Sequence, residues 1–449
     1  MEKDMTKGSP AWAIFCFVVP VFLGNVFQQF YSMADTIIVG KFVGNQALAA
    51  VGSMGTIMFL IITSLIGMTV GFTVLTSQRF GAGDMDGMRK TVGCAAILSI
   101  IVSVIATAVS MLGMRTLLMA MNTPEDIFSD AYSYIMIICG GIFAQVLYNF
   151  LASVLRALGN SRIPLYFLIL AALLNIVLDL VFIIVFGAGA AGAAYATVIS
   201  QGISGLLCLF YIYKKVPLLH LKRRDWRLDA HIAKLQLGIG LPMALQYSIT
   251  AIGSIMVLSA LNGLGSTLVA AFTAATKIEQ VVSQAYVAMG TAMATFCAQN
   301  MGAGKILRIR RGFRDATLMG CAYSVAAALL VMTVGKYMTY LFISEDIATI
   351  LPSVDLYLKC AGAFFIPLTV VNLYRNGLQG MGFGLLPMMA GVAELVGRGV
   401  TAVIAARSGS YFGICMASPM AWVLAGGLLL VMYFHIMGRY KGDLTQVPE

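Results

Sequence analysis

The sequence predicts an all-α integral membrane protein with twelve transmembrane helices in two pseudo-symmetric six-helix lobes around a central cavity. Three observations lead to this fold class. Hydrophobic residues make up 60% of the 449 residues and charged residues only 11%, whereas soluble domains carry about 25% charged residues. Apolar segments of the ~20 residues needed to cross a bilayer recur along the chain. The two halves of the chain also repeat each other.

Twelve apolar segments are long enough to be membrane-spanning helices. These predicted spans are 11–39, 47–76, 91–113, 131–155, 163–186, 190–213, 235–261, 267–297, 313–333, 353–379, 385–406 and 412–436. The first span is too long for the core of a signal peptide, and no small-residue cleavage pattern follows it. We therefore expect it to be retained as a helix.

Lysine and arginine are distributed unevenly over the loops between the spans. With the amino terminus in the cytoplasm, 21 of them lie on the cytoplasmic side and 5 on the other side. This is the positive-inside pattern, and it predicts a multi-pass protein of the inner (plasma) membrane with both termini cytoplasmic. The net charge of +10 is thus explained by orientation, and we expect no nucleic-acid partner.

The second half of the sequence repeats the first. SQRFGAGDMDGMRK (77–90) aligns without a gap with AQNMGAGKILRIRR (298–311). Each half holds six spans, an even number, so both halves enter the membrane from the same side. The predicted organisation is an amino-terminal six-helix lobe (1–215), a cytoplasmic linker (216–231) and a carboxy-terminal six-helix lobe (232–449). Paired lobes are typical of alternating access; a duplication without mechanical meaning is the alternative.

No motif for catalysis or for cofactor binding is found. The eight cysteines are scattered without C-x-x-C spacing, which argues against a disulfide framework or a zinc site. The Gly-Ala-Gly turns at 81–83 and 302–304 are not followed by the G-K-[ST] of a phosphate-binding loop. We expect no catalytic residue, no enzyme activity, no cofactor, and no metal other than a coupling Na⁺.

The two copies differ at three aligned positions at which only the first half carries acidic or amide side chains. The aligned pairs are Asp35 with Met256, Asn175 with Arg398, and Asp179 with Ala402. Asn175 and Asp179 are four residues apart and share a helix face. Asp35, Asp179 and Thr197 are each predicted roughly 6–10 Å from the outer ends of their helices.

A cation- or proton-binding site is therefore predicted from Asp35, Asn175, Asp179 and Thr197. Two carboxylates facing each other at low dielectric cannot comfortably both stay charged, so one proton or one Na⁺ would relieve the repulsion. Ionisable residues inside membrane spans mark ion pathways by default. The alternative is a structural hydrogen-bond cluster that joins three helices.

Further polar residues are predicted to line a substrate cavity in the first half. Gln28 and Tyr31 form one helical stripe with Asp35, and Gln145 and Asn149 form an i, i+4 pair. The alternative for each of these residues is polar contact between helices.

Charged residues within the spans of the second half form a separate predicted polar network. Its members are Lys277, Glu279, Arg375, Glu394 and Arg398. Glu394 and Arg398 are at i, i+4 on one helix and are predicted to neutralise each other. This favours a structural role for the network over a role in transport.

Several stretches resemble the multidrug and toxic compound extrusion (MATE) transporters. They include MADTIIVGKFVGNQALAAVG (33–52), LNIVLDLVFI (174–183) and AFTAATKIEQ (271–280). The resemblance implies two six-helix lobes that form a V-shaped cavity. It also implies Asp35, Asn175, Asp179 and Thr197 as the cation site, and Pro20, Gln28, Tyr31, Gln145 and Asn149 in the first-lobe cavity. GLPMALQYSITAIG (240–253) lacks the carboxylate that one branch carries there, which favours the prokaryotic branch of the DNA-damage-inducible members.

The sequence thus predicts a secondary antiporter for multidrug efflux, or xenobiotic export, coupled to Na⁺ or H⁺. We expect a monomer in the lipid bilayer that exports small organic compounds, amphipathic or cationic. The alternative is a flippase of lipid-linked or other lipid-like substrates on the same fold; against it, the first lobe has no Arg or Lys at mid-depth. An ion channel is disfavoured because neither half has a filter-like re-entrant segment.

Overall fold

The computed structural model describes residues 4–121, 123–341 and 347–440. Within these ranges all regular secondary structure is helical, which confirms the predicted fold class. The helices are α1 (Pro10–Phe42), α2 (Asn45–Gly81), α3 (Met85–Ala120), α4 (Glu125–Gly140), α5 (Ile142–Ala157), α6 (Arg162–Leu180), α7 (Gly189–Lys215), α8 (Ala230–Asn262), α9 (Ser266–Gly302), α10 (Ile306–Thr333), α11 (Ile347–Ala363), α12 (Phe365–Gly380), α13 (Leu385–Ser408), α14 (Tyr411–Cys415) and α15 (Ala417–Arg439).

The number of membrane-spanning elements agrees with the prediction. Over the described ranges, ten helical segments are long and apolar enough to cross a bilayer. Two further spans arise when the bent pairs α4–α5 and α11–α12 are each counted as one, which gives twelve.

The structure adds a bend to predicted spans 4 and 10, each of which consists of two helices. The axis bends by 46° between α4 and α5 and by 51° between α11 and α12. The first bend falls at the Gly140–Gly141 pair, a common cause of helix kinks. A Cβ atom on Gly141 would lie 2.2 Å from Val198 Cγ2 on α7, so the bend brings this backbone close to its neighbour.

The predicted repeat is visible in the hydrogen bonds of its turns. The turn between α2 and α3 is closed by Ala82 N–H to Gln78 O (2.9 Å), and the turn between α9 and α10 by Ala303 N–H to Gln299 O (3.0 Å). Each turn contains one glycine in the left-handed region, with φ of 74° at position 83 and 69° at position 304. Only glycine adopts this conformation without steric cost, which explains why both copies carry it.

The chain forms two compact units whose bounds differ from those of the sequence repeat. Unit 1 is Leu23–Ala244, and unit 2 is Asp4–Phe22 together with the chain from Leu245 onward. The change of unit therefore occurs inside α1 and α8, two residues after Pro20 and Pro242. The repeat is a similarity between two stretches of sequence, whereas each unit is a set of residues that pack against one another in the structure.

Each unit has its own apolar core. In unit 1, Ile38, Met54 and Met114 belong to one buried cluster. In unit 2, Phe17 of α1 packs in the same buried cluster as Tyr286 of α9. The amino-terminal part of α1 is thus part of the core of unit 2 although its sequence belongs to the first copy.

Candidate functional site

Four polar side chains predicted to form the cation site are brought together in unit 1. Asp35 is on α1, Asn175 and Asp179 are on α6, and Thr197 is on α7. The Asp35 and Asp179 carboxyl groups lie within hydrogen-bonding reach of each other. Asn175 Nδ2 donates a long hydrogen bond to Thr197 Oγ1, at 3.4 Å. The convergence places acid, amide and hydroxyl groups from three helices side by side.

Three of the four side chains are buried, Asp35 is half-buried, and several of their oxygen atoms accept no hydrogen bond from the described residues. Asn175 and Asp179 are 0% exposed and Thr197 is 7% exposed. Four oxygens, Asp35 Oδ1, Asn175 Oδ1 and both carboxyl oxygens of Asp179, accept no hydrogen bond from the part of the chain that the structure describes. Burying such groups without a partner is costly. A cation held by these oxygens, or a proton shared by the two acids, would lower that cost.

Two tyrosines complete the surroundings of the acid pair. The Tyr31 hydroxyl lies 3.4 Å from Thr197 Oγ1 and links α1 to α7. Tyr134 of α4, 3% exposed, is close enough to Asp35, Asp179 and Tyr31 to interact with them electrostatically. Tyr134 was missed by the sequence analysis because its polar neighbours at the site are on other helices, and spacing along one helix does not reveal contacts with another. The missed signal was a tyrosine inside an apolar span, since a buried hydroxyl needs a polar neighbour.

The helix that carries Asn175 and Asp179 changes geometry directly after the site. α6 ends at Leu180 and continues as a π-helical turn, Val181–Val185. Phe186 N–H donates to Val181 O at 3.1 Å, which is the i to i−5 bond of this wider turn. π-Helical turns inside longer helices are frequent at functional sites. Here the π-helical turn begins two residues after Asp179, so the regular part of α6 ends next to the candidate site.

The other residues predicted for the first-half cavity are not part of this cluster. Gln28 is exposed on α1. Gln145 and Asn149 line a separate cavity of about 10 Å³ on α5, and Asn149 Nδ2 donates to Gln145 O at 2.8 Å. Pro20 is buried in the segment of α1 that belongs to unit 2, fifteen residues and roughly 22 Å along the helix from Asp35.

A larger cavity lies entirely within unit 2. Its volume is about 470 Å³, and it is lined by four of the five residues of the predicted second-half network, namely Glu279, Arg375, Glu394 and Arg398. Lys277, the fifth, is exposed on α9 and does not line the cavity. The predicted network therefore surrounds a space large enough for a small molecule.

The predicted ion pair between Glu394 and Arg398 was wrong. Arg375 Nη2 of α12 donates to Glu394 Oε1 of α13 at 2.5 Å. Both side chains are nearly buried, at 8% and 3% exposure. Arg398 instead donates from Nη1 to the Thr250 carbonyl at 3.4 Å. A partner on a neighbouring helix replaces the intrahelical pair because the buried carboxylate gains a short contact there.

Tyr357 of α11 is a second residue that the sequence analysis missed. Its hydroxyl donates a short hydrogen bond to Glu279 Oε2. Tyr357 is 3% exposed and lines the same cavity. Its partner is on another helix, so no spacing rule in the sequence connects the two.

Comparison with known proteins places the chain in a family. The profile of the MatE family matches residues 20–181 and 240–424, which together cover most of the sequence. The probable multidrug resistance protein YpnP of Bacillus subtilis is 31% identical over 98% of this chain and 97% of its own length. A FAD transporter of Shewanella oneidensis is 24% identical over 91% of both chains.

Solved structures support the same fold. An outward-facing multidrug resistance MATE transporter of the MOP superfamily superposes with a TM-score of 0.92 at 24% identity, over 98% of both chains. A MOP superfamily transporter from Pyrococcus furiosus gives a TM-score of 0.91 at 25% identity, also over 98% of both chains. The chain belongs to the MATE family of multi-pass membrane transporters and is not an enzyme.

Proposed function

We propose that the protein is a secondary antiporter that exports organic compounds in exchange for Na⁺ or H⁺. The observation that carries this proposal is the pair Asp35 and Asp179, facing each other with buried oxygens that accept no hydrogen bond from the described residues. Ionisable residues at such depth in a membrane protein mark ion pathways. The proposed ligands are these two acids, with Asn175 and Thr197 completing the shell.

Coupling follows from the position of the acids on different helices. Without a proton or cation, two facing carboxylates repel each other, which disfavours close packing of α1 against α6. Binding of the ion removes the repulsion and so favours close packing of α1 against α6. If cargo prefers the other arrangement of these helices, ion and cargo exclude each other, and the ion gradient drives export.

We infer the class of cargo from the predicted cavity residues of the first half and from the names of relatives. The predicted first-half cavity residues carry amide and hydroxyl groups but no lysine or arginine, which suits amphipathic or cationic compounds. YpnP carries the name of a probable multidrug resistance protein, which supports a broad cargo range. We further propose the inner (plasma) membrane, cytoplasmic termini, a monomer, and the branch with the DNA-damage-inducible members.

The test is cargo flux in proteoliposomes with the Na⁺ and pH gradients imposed separately. Export of a cationic dye such as ethidium should depend on one of the two gradients, and this identifies the ion. Dye flux that is independent of both would exclude coupling. Absence of dye flux together with translocation of a labelled lipid would instead support the flippase alternative.

A further inference from the structure

The cavity in unit 2 has the size and composition of a binding site for a small organic molecule. Its volume of about 470 Å³ lies within the range of typical ligand pockets. Phe272, Tyr357 and Trp422 supply aromatic surface, while Thr250 and Thr276 supply hydroxyl groups. A cavity that offers both aromatic surface and hydrogen-bonding side chains suits a small molecule with a ring and a polar group.

Two arginines line this cavity, but only one of them is held in an ion pair. The charge of Arg375 is matched by Glu394, whose Oε1 accepts its hydrogen bond at 2.5 Å. Arg398 has no carboxylate oxygen within 4.0 Å among the residues that the structure describes. Glu279 attracts it from farther away without an ion-pair contact, and one oxygen of the Glu279 carboxylate accepts a hydrogen bond from the Tyr357 hydroxyl.

The Arg398 guanidinium has unused donors at a buried position. The residue is only 8% exposed, and its Nε–H donates to no partner within the described ranges. Its one hydrogen bond to the described residues, from Nη1 to the Thr250 carbonyl, is long at 3.4 Å. A buried guanidinium with unmatched donors is costly, because a charge is poorly stabilised away from water. An anionic group would accept hydrogen bonds from these donors and balance the positive charge.

The Arg398 side chain lines the cavity and lies against a glycine of α8. Its Cδ passes over Gly253 of α8, where a Cβ atom would lie at 3.2 Å. Met256, one turn farther along α8, packs against Gly399, where a Cβ atom would lie 2.8 Å from the methionine Cε. The glycines at 253 and 399 thus leave the space that the arginine and the methionine occupy.

We propose that Arg398 binds the carboxylate or phosphate group of an aromatic organic anion whose ring packs against Tyr357 and Trp422. A guanidinium offers two parallel N–H donors that match the geometry of both groups. The proposal goes beyond the proposed function, because it adds an anionic class of compound, and it rests on that function only for treating the occupant as cargo. The volume suits one drug-sized molecule and not a two-chain lipid.

The proposal is tested by equilibrium binding to the full-length protein in a neutral detergent. The probes are 1-naphthoate, 1-naphthyl phosphate and the uncharged 1-naphthylmethanol, which share one ring system. Quenching of tryptophan fluorescence reports binding, since Trp422 lines the cavity. The wild-type protein should bind at least one of the two anions about tenfold or more tightly than the alcohol, as a charge-assisted hydrogen bond requires.

The matched variants test whether the preference for the anion depends on Arg398 itself or on positive charge elsewhere on the protein. Arg398→Gln should lose the preference for the anion, and Arg398→Lys should keep part of it. Arg407→Gln, an exposed arginine on the same helix α13, should bind like the wild type. Thermal unfolding of each variant controls for folding.

Equal affinity of the wild type for the anions and the alcohol would overturn the proposal, even if Arg398→Gln failed to fold. Retention of the anion preference by a folded Arg398→Gln protein would also overturn it. Displacement of the probe by phosphatidylglycerol at equal concentration would assign the cavity to a lipid and contradict the proposal. Because binding is measured without any gradient, failure of ion-coupled dye export would leave this result standing.

Discussion

Asp35 on α1 and Asp179 on α6 hold their carboxyl groups within hydrogen-bonding reach of each other inside unit 1. Both Asp179 oxygens and one Asp35 oxygen accept no hydrogen bond from the described residues. Two acids in this position cannot share the site as two free carboxylates without a large repulsion. The pair therefore has the properties of a proton or cation switch, and the predictions below test that account and the packing around it.

Replacing Asp35 by asparagine should abolish export while leaving the protein folded in the membrane. Asparagine keeps the size of the side chain but cannot bind a proton or balance the charge of a cation. Efflux of ethidium from cells that produce Asp35→Asn should fall to the level of cells without the protein. Asp130→Asn, an exposed acid on α4, is the control and should export normally. Wild-type efflux from Asp35→Asn cells at equal protein levels would refute the assigned role.

The ion pair between Arg375 and Glu394 should contribute strongly to stability in a way that depends on both partners. Glu394→Gln leaves a buried arginine without its partner, so we expect a loss of about 3–5 kcal/mol in the free energy of unfolding. Adding Arg375→Gln should restore part of that loss, because it removes the uncompensated charge. Thermal unfolding in detergent measures both effects.

An exposed pair provides the comparison for this experiment. Lys359 Nζ and Asp355 Oδ2 are 2.6 Å apart on α11, with the lysine side chain 57% exposed. Lys359→Gln should cost no more than about 1 kcal/mol, as is usual for surface ion pairs. A Glu394→Gln protein as stable as Lys359→Gln would show that the buried pair contributes no more to stability than the exposed pair.

The crossing of α2 and α8 should tolerate no side chain at Gly71. A Cβ atom there would lie 2.4 Å from Gly240 Cα, a backbone atom that cannot move aside cheaply. Gly71→Ala should therefore destabilise the protein by about 1–3 kcal/mol. Gly52→Ala on the same helix meets nothing within 4 Å and should be neutral or stabilising, because alanine favours helix. Equal melting temperatures for the two variants would contradict the close packing.

Arg308 should hold the amino-terminal segment against α10. Its guanidinium donates to the carbonyls of Met5 (3.1 Å), Lys7 (2.7 Å) and Gly8 (2.5 Å). Arg308→Gln removes most of these bonds, so trypsin should cleave after Lys7 faster than in the wild type. Arg311→Gln, an exposed neighbour, serves as the control. Unchanged cleavage in Arg308→Gln would mean that other contacts suffice to hold the segment.

The features predictable from sequence are those set by periodicity and by repetition. The matching turns at Gly83 and Gly304 followed from the repeat, because a left-handed residue there requires glycine in both copies. The proximity of Asp35 and Asp179 followed from depth, since their distances from the helix ends are similar. Both inferences use positions along a helix, which the sequence defines well.

The features that escaped prediction depend on how neighbouring helices are rotated and bent. Glu394 has Arg398 one turn away, yet it pairs with Arg375 on α12, because spacing within a helix says nothing about the distance to another helix. Tyr134 and Tyr357 were overlooked for the same reason. Both bends had a visible signal in the sequence. The first is Gly140–Gly141 after α4, and the second is Pro367, which cannot donate the helix hydrogen bond to the carbonyl of Ala363, next to the bend at Phe364.

The most direct measurement of the central claim compares two modes of transport in proteoliposomes that contain the wild type or Asp35→Asn/Asp179→Asn. Exchange of labelled for unlabelled dye at equal ion concentrations needs no coupling ion, whereas accumulation of dye against its gradient does. The account predicts that the double variant loses gradient-driven accumulation but continues to exchange dye. Undiminished gradient-driven accumulation by the double variant would contradict it.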